Sequence, residues 1–282
     1  MSIMKIFIDT ADTDEIRRCH ATGLIDGVTT NPSLIMKSGR DPEDVYQEIK
    51  DIGIRDISME VVGDADHMIS EGIRLHQKFG DCSTIKVPCT PDGLLACSAL
   101  SRKCIPVNVT LIFSAAQAIL AAKAGAKYVS PFIGRLDDNS IAGLEVVRSI
   151  SAVYKEHKVG TKILAASLRE VNRVTRAFWN GAKICTMPPK VFHDMYNHIL
   201  TEKGLEIFDR DWAAAHKTER IGGDLDALEI NTTDLDGDTI HITTTLGDNG
   251  GIVTPVPGVD ISGGYAGLYP EEIGKDGNIN LS

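Results

Sequence analysis

The alternation of eight short β-branched runs with segments of helical length constrains the fold of this chain more than any other feature. Strict alternation of strands and helices favours a parallel sheet. Eight such units in about 200 residues fit a closed (β/α)8 barrel, or TIM barrel, better than an open sheet. The predicted strands are residues 5–10, 27–30, 57–62, 84–88, 106–111, 128–133, 162–167 and 182–187.

Helix signals support the same division. Asp12 and Thr13 are capping candidates for the helix after the first strand. Residues 202–216 are predicted to form an extra helix after the eighth unit, with Phe208 and Trp212 four residues apart on one face.

The composition changes after His216, where Gly, Asp and Thr become dominant. We therefore predict a barrel domain at 1–216 and an acidic C-terminal extension at 217–282 that is β-prone or disordered. Within the extension, residues 239–246 are a strand candidate and residues 234–238 the turn before it.

Charge and cysteine usage exclude several classes of protein. Of the 39 acidic and 29 basic residues, twelve and three lie at 217–282, which leaves the first 216 residues almost neutral. Neither part has the basic face of a nucleic-acid-binding protein. No apolar run approaches the roughly 20 residues of a membrane span, and an acid follows the N-terminus too early for a signal peptide. Six scattered cysteines without a Cys-x-x-Cys pair indicate reduced thiols in the cytoplasm and no zinc signature.

The active site of such a barrel is expected where the strands end, because the loops that follow them carry the chemistry. The polar residues near those ends, with one phenylalanine among them, are Asp9, Thr29, Thr30, Asn31, Glu60, Lys86, Asn108, Thr110, Ser130, Phe132, Arg135, Ser167 and Arg169.

Lys86 is the most informative of these residues. Ile85 and Val87 share one face of the fourth strand, so if they face the helices then Lys86 points into the barrel. Desolvation there would favour a neutral amine that can attack a carbonyl group. The structural alternative is a lysine that reaches the barrel mouth or is held in an ion pair, and the spacing alone does not separate the two.

The other charged candidates also permit two interpretations. Asp9 and Glu60 would be proton-transfer groups or fixed partners that keep the lysine protonated. Arg135, Ser167 and Arg169 would together bind a phosphate, whereas each arginine alone is more simply a solvated surface charge.

The histidines argue against a zinc-dependent reaction at this site. None of the eight lies at a predicted C-terminal strand end, where a metal-dependent aldolase would hold its ion.

Taken in order along the chain, the motifs resemble one known family. They are Phe-Ile-Asp9-Thr, Gly-Val-Thr-Thr30-Asn31-Pro-Ser, Ile-Lys86-Val-Pro, Asn-Val-Thr110-Leu-Ile-Phe-Ser and Leu-Ala-Ala-Ser167. Over about residues 4–215 the chain resembles the compact transaldolase and fructose 6-phosphate aldolase group of class I aldolases. The resemblance implies that Lys86 is the Schiff-base nucleophile.

Two positions distinguish the reactions within that group. The compact aldolases have Gln and Tyr where this chain has Glu60 and Phe132, and true transaldolases have Glu and Phe. The resemblance therefore implies transaldolase. Ser167-Leu-Arg169 is similar to the transaldolase phosphate motif, with Arg135 as a third contact.

The implied reaction transfers a dihydroxyacetone unit from fructose 6-phosphate or sedoheptulose 7-phosphate to an aldose phosphate. Lys86 would form the imine, Glu60 and a water held by Thr110 would move protons, and Asp9 would deprotonate the C4 hydroxyl. Asn31 would orient the retained unit. The remaining substrate-binding candidates are Thr30, Asn108, Ser130, Phe132, Arg135, Ser167 and Arg169. No metal or organic cofactor is expected.

Three alternatives remain open at this stage. The first alternative is a fructose 6-phosphate aldolase that uses the same Schiff base. The second is a non-catalytic barrel that serves as a scaffold for its C-terminal extension. The extension itself would be a weak calcium module, although a tight acidic turn accounts for its aspartates better. The resemblance further implies a decamer of two pentameric rings.

Overall fold

The computed structural model describes residues 4–217, 228–233 and 239–244. Eight parallel strands close into a barrel in which each strand pairs with the next along the chain and β1 pairs with β8. The predicted (β/α)8 fold is therefore confirmed. The barrel strands are β1 (Lys5–Asp9), β2 (Gly27–Thr29), β3 (Ile57–Glu60), β4 (Ser83–Pro88), β5 (Val107–Ile112), β6 (Tyr128–Pro131), β7 (Lys162–Ala165) and β8 (Ile184–Met187).

The helices follow the strands singly or in pairs, and a 3-10 turn lies at Gly80–Cys82 before β4. The helices are α1 (Thr13–Ala21), α2 (Pro32–Ser38), α3 (Pro42–Ile52), α4 (Ala65–Phe79), α5 (Pro91–Arg102), α6 (Ala115–Lys123), α7 (Ile133–Asp138), α8 (Gly143–Glu156), α9 (Val171–Trp179), α10 (Pro189–Asp194) and α11 (Ile199–Lys217).

Capping residues fix where several helices begin. Asp12 accepts hydrogen bonds from the amides of Asp14 and Glu15, so α1 begins at the predicted signal. Asn31 caps α2 in the same way through the amide of Leu34. The extra helix α11 is present, although it begins at Ile199, three residues before the predicted start.

Apolar side chains fill the layer between the strands and the helices. Ile85 and Val87 belong to this outer layer and are fully buried. Inside the barrel a smaller cluster of Phe7, Tyr128, Leu164 and Ile184 fills the N-terminal half. Gly27 makes room for it, because a Cβ at that position would lie 2.6 Å from the Phe7 ring.

Three strands end two residues earlier than predicted. They are β3, β6 and β7, which end at Glu60, Pro131 and Ala165. Ile133 already begins α7, and Ser167 has a φ of 57°, which is incompatible with extended backbone.

The chain separates into two compact units, Met1–Lys203 and Gly204–Ser282. In the second unit, β9 (Leu228–Thr233) and β10 (Thr239–Thr244) form an antiparallel pair. The predicted strand in the extension is thus present as β10. The predicted turn at 234–238 lies outside the described residues, and the domain boundary near residue 217 remains a prediction.

Candidate active site

Lys86 lies inside the barrel, on the face of β4 opposite to Ile85 and Val87. Its Nζ is 2.9 Å from Oε2 of Glu60 on β3 and donates a hydrogen bond of 2.9 Å to the carbonyl oxygen of Thr30. The Lys86 side chain is only 5% exposed and that of Glu60 12%. The structure therefore has features of both alternatives: the lysine points into the barrel, as a nucleophile would, and it is also held in an ion pair.

Asp9 approaches the same space from β1. Its carboxylate accepts a hydrogen bond of 2.7 Å from the Thr29 hydroxyl, which lies 2.7 Å from the hydroxyl of Thr186 on β8. Burial raises the pKa of the Asp9 carboxyl, and the Lys86 charge and the Thr29 hydrogen bond offset part of that rise. Asp9 is thus better suited to accept a proton than an ordinary surface aspartate.

A hydrogen-bonded row of side chains lies beside the lysine. The Ser130 hydroxyl donates to Oδ1 of Asn108 at 2.7 Å, and Nδ2 of Asn108 donates to the Ser58 hydroxyl at 3.2 Å. Lys86 is paired in register with Asn108. This row fixes the orientation of the Asn108 amide next to the amine.

Thr110 is the exception among these polar groups. Its hydroxyl is buried and has no hydrogen-bond partner within the described part of the chain. A buried hydroxyl without a partner is costly, so this group is suited to hold a water molecule or a substrate oxygen.

A cavity of about 130 Å³ lies at the C-terminal ends of the strands. Eight of the thirteen candidate residues line it, namely Asp9, Thr29, Asn31, Lys86, Ser130, Phe132, Arg135 and Ser167. The other five, Thr30, Glu60, Asn108, Thr110 and Arg169, do not. A larger cavity of about 530 Å³ lies around the strand starts at Lys5, Lys162 and Lys183. Barrel chemistry takes place at the other end, so the smaller cavity is the candidate active site.

The far side of the cavity is cationic. The Arg135 guanidinium lies over the Phe132 ring at 4.9 Å, and both line the cavity together with Ser167. Arg169 does not line it, because its two terminal nitrogens bind both carboxylate oxygens of Asp138 at 2.6 Å.

Several lining or supporting residues were not predicted. Thr186, Leu164 and Ala166 line the cavity, and the Tyr46 hydroxyl lies 3.5 Å from that of Thr30. Thr186 could have been found, since it is a polar residue near the C-terminal end of the predicted eighth strand. Tyr46 belongs to α3, and no local pattern distinguishes it from an ordinary core residue.

The histidine prediction agrees with the architecture, because no histidine lies on any of the eight barrel strands. Among the described helices, none has the length and apolar character that crossing a membrane requires.

Comparisons with known proteins give the family. Residues 6–237 match the model of the Transaldolase/Fructose-6-phosphate aldolase family. A protein named "Probable transaldolase" from Paracoccus denitrificans is 54% identical over 211 residues, which cover 74% of this chain and 97% of that protein. A protein of the same name from Nitrosopumilus maritimus is 50% identical over 211 residues, 74% of this chain and 95% of that protein.

A solved structure of a mutant flavocytochrome b2 shares the fold alone, with a TM-score of 0.50, 15% identity, and coverage of 68% of this chain and 58% of that one. The family match spans nearly the whole barrel. The sequence identity to the two relatives is 54% and 50%, and the alignments cover almost the full length of each relative. This chain is therefore a member of the transaldolase/fructose-6-phosphate aldolase family.

Proposed function

We propose that the protein is a transaldolase that moves a dihydroxyacetone unit between sugar phosphates through a Schiff base on Lys86. The observation that carries the proposal is the amine itself: it is buried, lines the cavity, and lies 2.9 Å from a carboxylate. The family relatives that carry the transaldolase name support the same reaction.

Imine formation requires Lys86 to lose a proton before it attacks. Glu60 Oε2 is close enough to accept that proton directly, which leaves a neutral amine facing the ketone carbon. The nitrogen then bonds to C2, the carbonyl oxygen takes up protons, and it departs as water. The unpartnered Thr110 hydroxyl would hold a water that relays these protons to Glu60.

Cleavage of the C3–C4 bond requires a base on the other side of the cavity. Asp9 would take the proton of the C4 hydroxyl, so that C4 becomes an aldehyde carbon and the electron pair of the broken bond moves toward the iminium nitrogen. The retained three-carbon unit then adds to an acceptor aldehyde by the reverse steps. Asn31, Asn108 and Ser130 would hold its hydroxyl groups.

We expect Asp9→Asn to reduce kcat by about 10²–10⁴-fold with a small change in KM, because the amide keeps the shape but cannot accept the proton. Since burial raises the pKa of Asp9, the acidic limb of the wild-type kcat profile should lie above the usual range of an aspartate. Activity falls as pH drops through that value, because protonation removes the base. Steady-state kinetics across pH will measure both effects; an unchanged acidic limb in the variant would assign the limb to another group.

The phosphate of the substrate would bind at the cationic side, to Arg135 and Ser167. Arg169 belongs to the same proposed set by resemblance, and the phosphate would have to displace Asp138 from it. Gly134 supports this side: its amide donates to the Ser167 carbonyl at 3.0 Å.

We expect Gly134→Ala to raise KM for fructose 6-phosphate about tenfold with a smaller effect on kcat, the consequence of weakening one charge-assisted hydrogen bond. The new Cβ would lie 2.4 Å from the Ser167 carbonyl oxygen and 3.0 Å from Nε of Arg169, so Ser167 has to move. Gly160→Ala is the matched control, because no atom lies within 4 Å of a Cβ there. Equal KM values for the two variants would contradict this phosphate site.

Glu60 and Phe132 favour transfer over simple aldol cleavage. Transfer requires the imine to persist after the first aldehyde leaves, and Phe132 has no hydroxyl with which to activate a hydrolytic water. A coupled assay without acceptor separates the two reactions: release of free dihydroxyacetone at the full catalytic rate would identify a fructose 6-phosphate aldolase instead.

We also propose that the protein is cytoplasmic and forms homo-oligomers. A reaction of the pentose phosphate pathway on sugar phosphates, together with unpaired cysteines, supports a cytoplasmic protein. Homo-oligomers, in the family pattern of stacked pentamers, are supported by exposed apolar side chains on α11, with Phe208 and Trp212 each 70% exposed.

Borohydride reduction in the presence of fructose 6-phosphate tests the reaction class directly. The reduced imine should appear as a dihydroxyacetone adduct on the peptide that contains Lys86, and on no other lysine peptide. The adduct should vanish when either substrate or borohydride is omitted. An adduct elsewhere, or none at all under turnover, would refute the proposed mechanism.

A further inference from the structure

We propose that Glu15, Cys19 and His193 form a zinc site on the outside of the barrel, separate from the candidate active site. One donor atom from each residue lies within 4.8 Å of the other two. His193 Nε2 is 3.8 Å from the Cys19 sulfur and 3.7 Å from Oε2 of Glu15.

These separations are close to those of a tetrahedral ion. With bonds of about 2.3 Å to sulfur and about 2.0–2.2 Å to nitrogen and oxygen, tetrahedral angles place the donors about 3.3–3.6 Å apart. The two distances from His193 Nε2 therefore need to shorten by only a few tenths of an ångström. Side-chain rotation of a half-exposed His193 can supply that movement.

The fold brings the three donors together from distant parts of the chain. Glu15 and Cys19 lie four residues apart on α1 and share one face of the helix. His193 lies on α10, 174 residues beyond Cys19. Because α1 follows β1, α10 follows β8, and these two strands are paired, an ion here would join the first and last units where the barrel closes.

The donor types select the metal. Thiolate, imidazole and carboxylate together suit zinc, whereas calcium and magnesium require oxygen donors. Cys19 is fully buried, but the His193 side chain is 48% exposed, so the open side would admit the ion and a water as fourth ligand. On binding, the Cys19 thiol releases its proton to solvent and the sulfur bonds the metal.

Arg18 is a neighbouring cation that would oppose the ion. It pairs with Oε1 of Glu15, which leaves Oε2 directed at His193. Its side chain is 65% exposed and can turn toward water without loss of packing. The competing reading is a metal-free cluster in which Glu15 and Cys19 simply bind the imidazole.

Zinc titration of the chelator-treated full-length protein decides between these readings. In competition with a chromogenic chelator we expect one tight zinc ion per chain, and cobalt in its place should give a thiolate-to-cobalt absorption band. His193→Gln and Cys19→Ser should each weaken zinc binding by more than about 100-fold, since even the loss of outer-shell partners costs 10–100-fold. Cys104→Ser and His157→Gln, at exposed positions, are the matched controls and should bind as the wild type does.

Zinc should also raise the melting temperature of the wild type by a few degrees and leave that of the His193→Gln variant unchanged. His193 is partly exposed, so this variant remains informative if the Cys19 variant fails to fold. Failure to bind one zinc ion per chain would overturn the proposal. Unchanged zinc affinity in both the His193→Gln and the Cys19→Ser variant would overturn it as well. Transaldolase activity without zinc should be retained, which makes this result independent of the proposed reaction.

Discussion

Replacement of Lys86 by methionine is expected to lower the transfer rate by at least about 10⁴-fold, because no other group in the cavity can form an imine. The borohydride adduct should disappear in parallel. Initial rates with fructose 6-phosphate and erythrose 4-phosphate will measure the loss. Lys162→Met is the matched control, since it makes the same change on an exposed lysine at the opposite end of a barrel strand.

The methionine variant also removes the partner of a buried carboxylate. Glu60 is 12% exposed and would be left without its cation, which typically costs about 3–5 kcal/mol. If the variant unfolded, its activity would fall even if Lys86 had no part in the reaction. The double variant Lys86→Met with Glu60→Gln should recover much of the stability but none of the activity.

Lys86→Arg provides the complementary comparison. Arginine keeps a positive charge beside Glu60, yet its guanidinium stays protonated and is a poor nucleophile. We expect this variant to retain most of the folding stability while its transfer rate falls as far as that of the methionine variant. Substantial turnover in Lys86→Arg would mean that the ion pair with Glu60 is the whole role of Lys86, and substantial turnover in Lys86→Met would mean that the reaction does not need this amine.

The sequence predicts those features that depend on local alternation. Alternation predicts that Ile85 and Val87 share one face of the fourth strand and that Lys86 takes the other, and Ile85 and Val87 lie in the outer apolar layer. Asp9 and Glu60 were recognised because each follows apolar residues at the end of a strand. The eight strands were found for the same reason, as short β-branched runs between helical segments.

The features that the sequence does not reveal depend on contacts between distant residues. Arg169 was predicted to bind phosphate, and in the structure it binds Asp138, the last residue of α7 after the neighbouring strand β6. The cluster of Glu15, Cys19 and His193 lacks any recognisable spacing because its third member is so far along the chain. Strand β9 was missed although Leu228-Glu229-Ile230-Asn231 alternates apolar and polar residues, because the run is short and lies in a polar, acidic segment.

A polar cluster around Asp56, at the opposite end of the barrel, is expected to contribute strongly to folding stability. Asp56 is buried just before β3, and its carboxylate accepts hydrogen bonds from the Thr84 hydroxyl at 2.8 Å and the Tyr128 hydroxyl at 2.7 Å. Lys127 Nζ lies 2.9 Å from the same group. These residues lie at the starts of the strands, where barrels keep features that serve stability rather than chemistry.

We expect Asp56→Ala to reduce the free energy of unfolding by about 3 kcal/mol, because the Tyr128 and Thr84 hydroxyls would be left buried without an acceptor. The Lys127 contact adds less, since its side chain is 37% exposed and can turn to water. A loss of this size corresponds to a fall in melting temperature of about 6–12 °C for a protein of this size. Circular dichroism during heating will measure it, with Asp81→Ala as the exposed control.

The kinetic result distinguishes this cluster from the candidate active site. Well below the melting temperature, Asp56→Ala should keep the wild-type kcat, because its carboxylate lies at the end of the barrel away from Lys86. Tyr128→Phe should lose less stability than Asp56→Ala, since it removes one donor and leaves the carboxylate with its other partners. A fall in kcat together with stability would mean that the polar row from Ser58 to Ser130 depends on the Asp56 cluster for its geometry. The two ends of the barrel would then be coupled rather than independent.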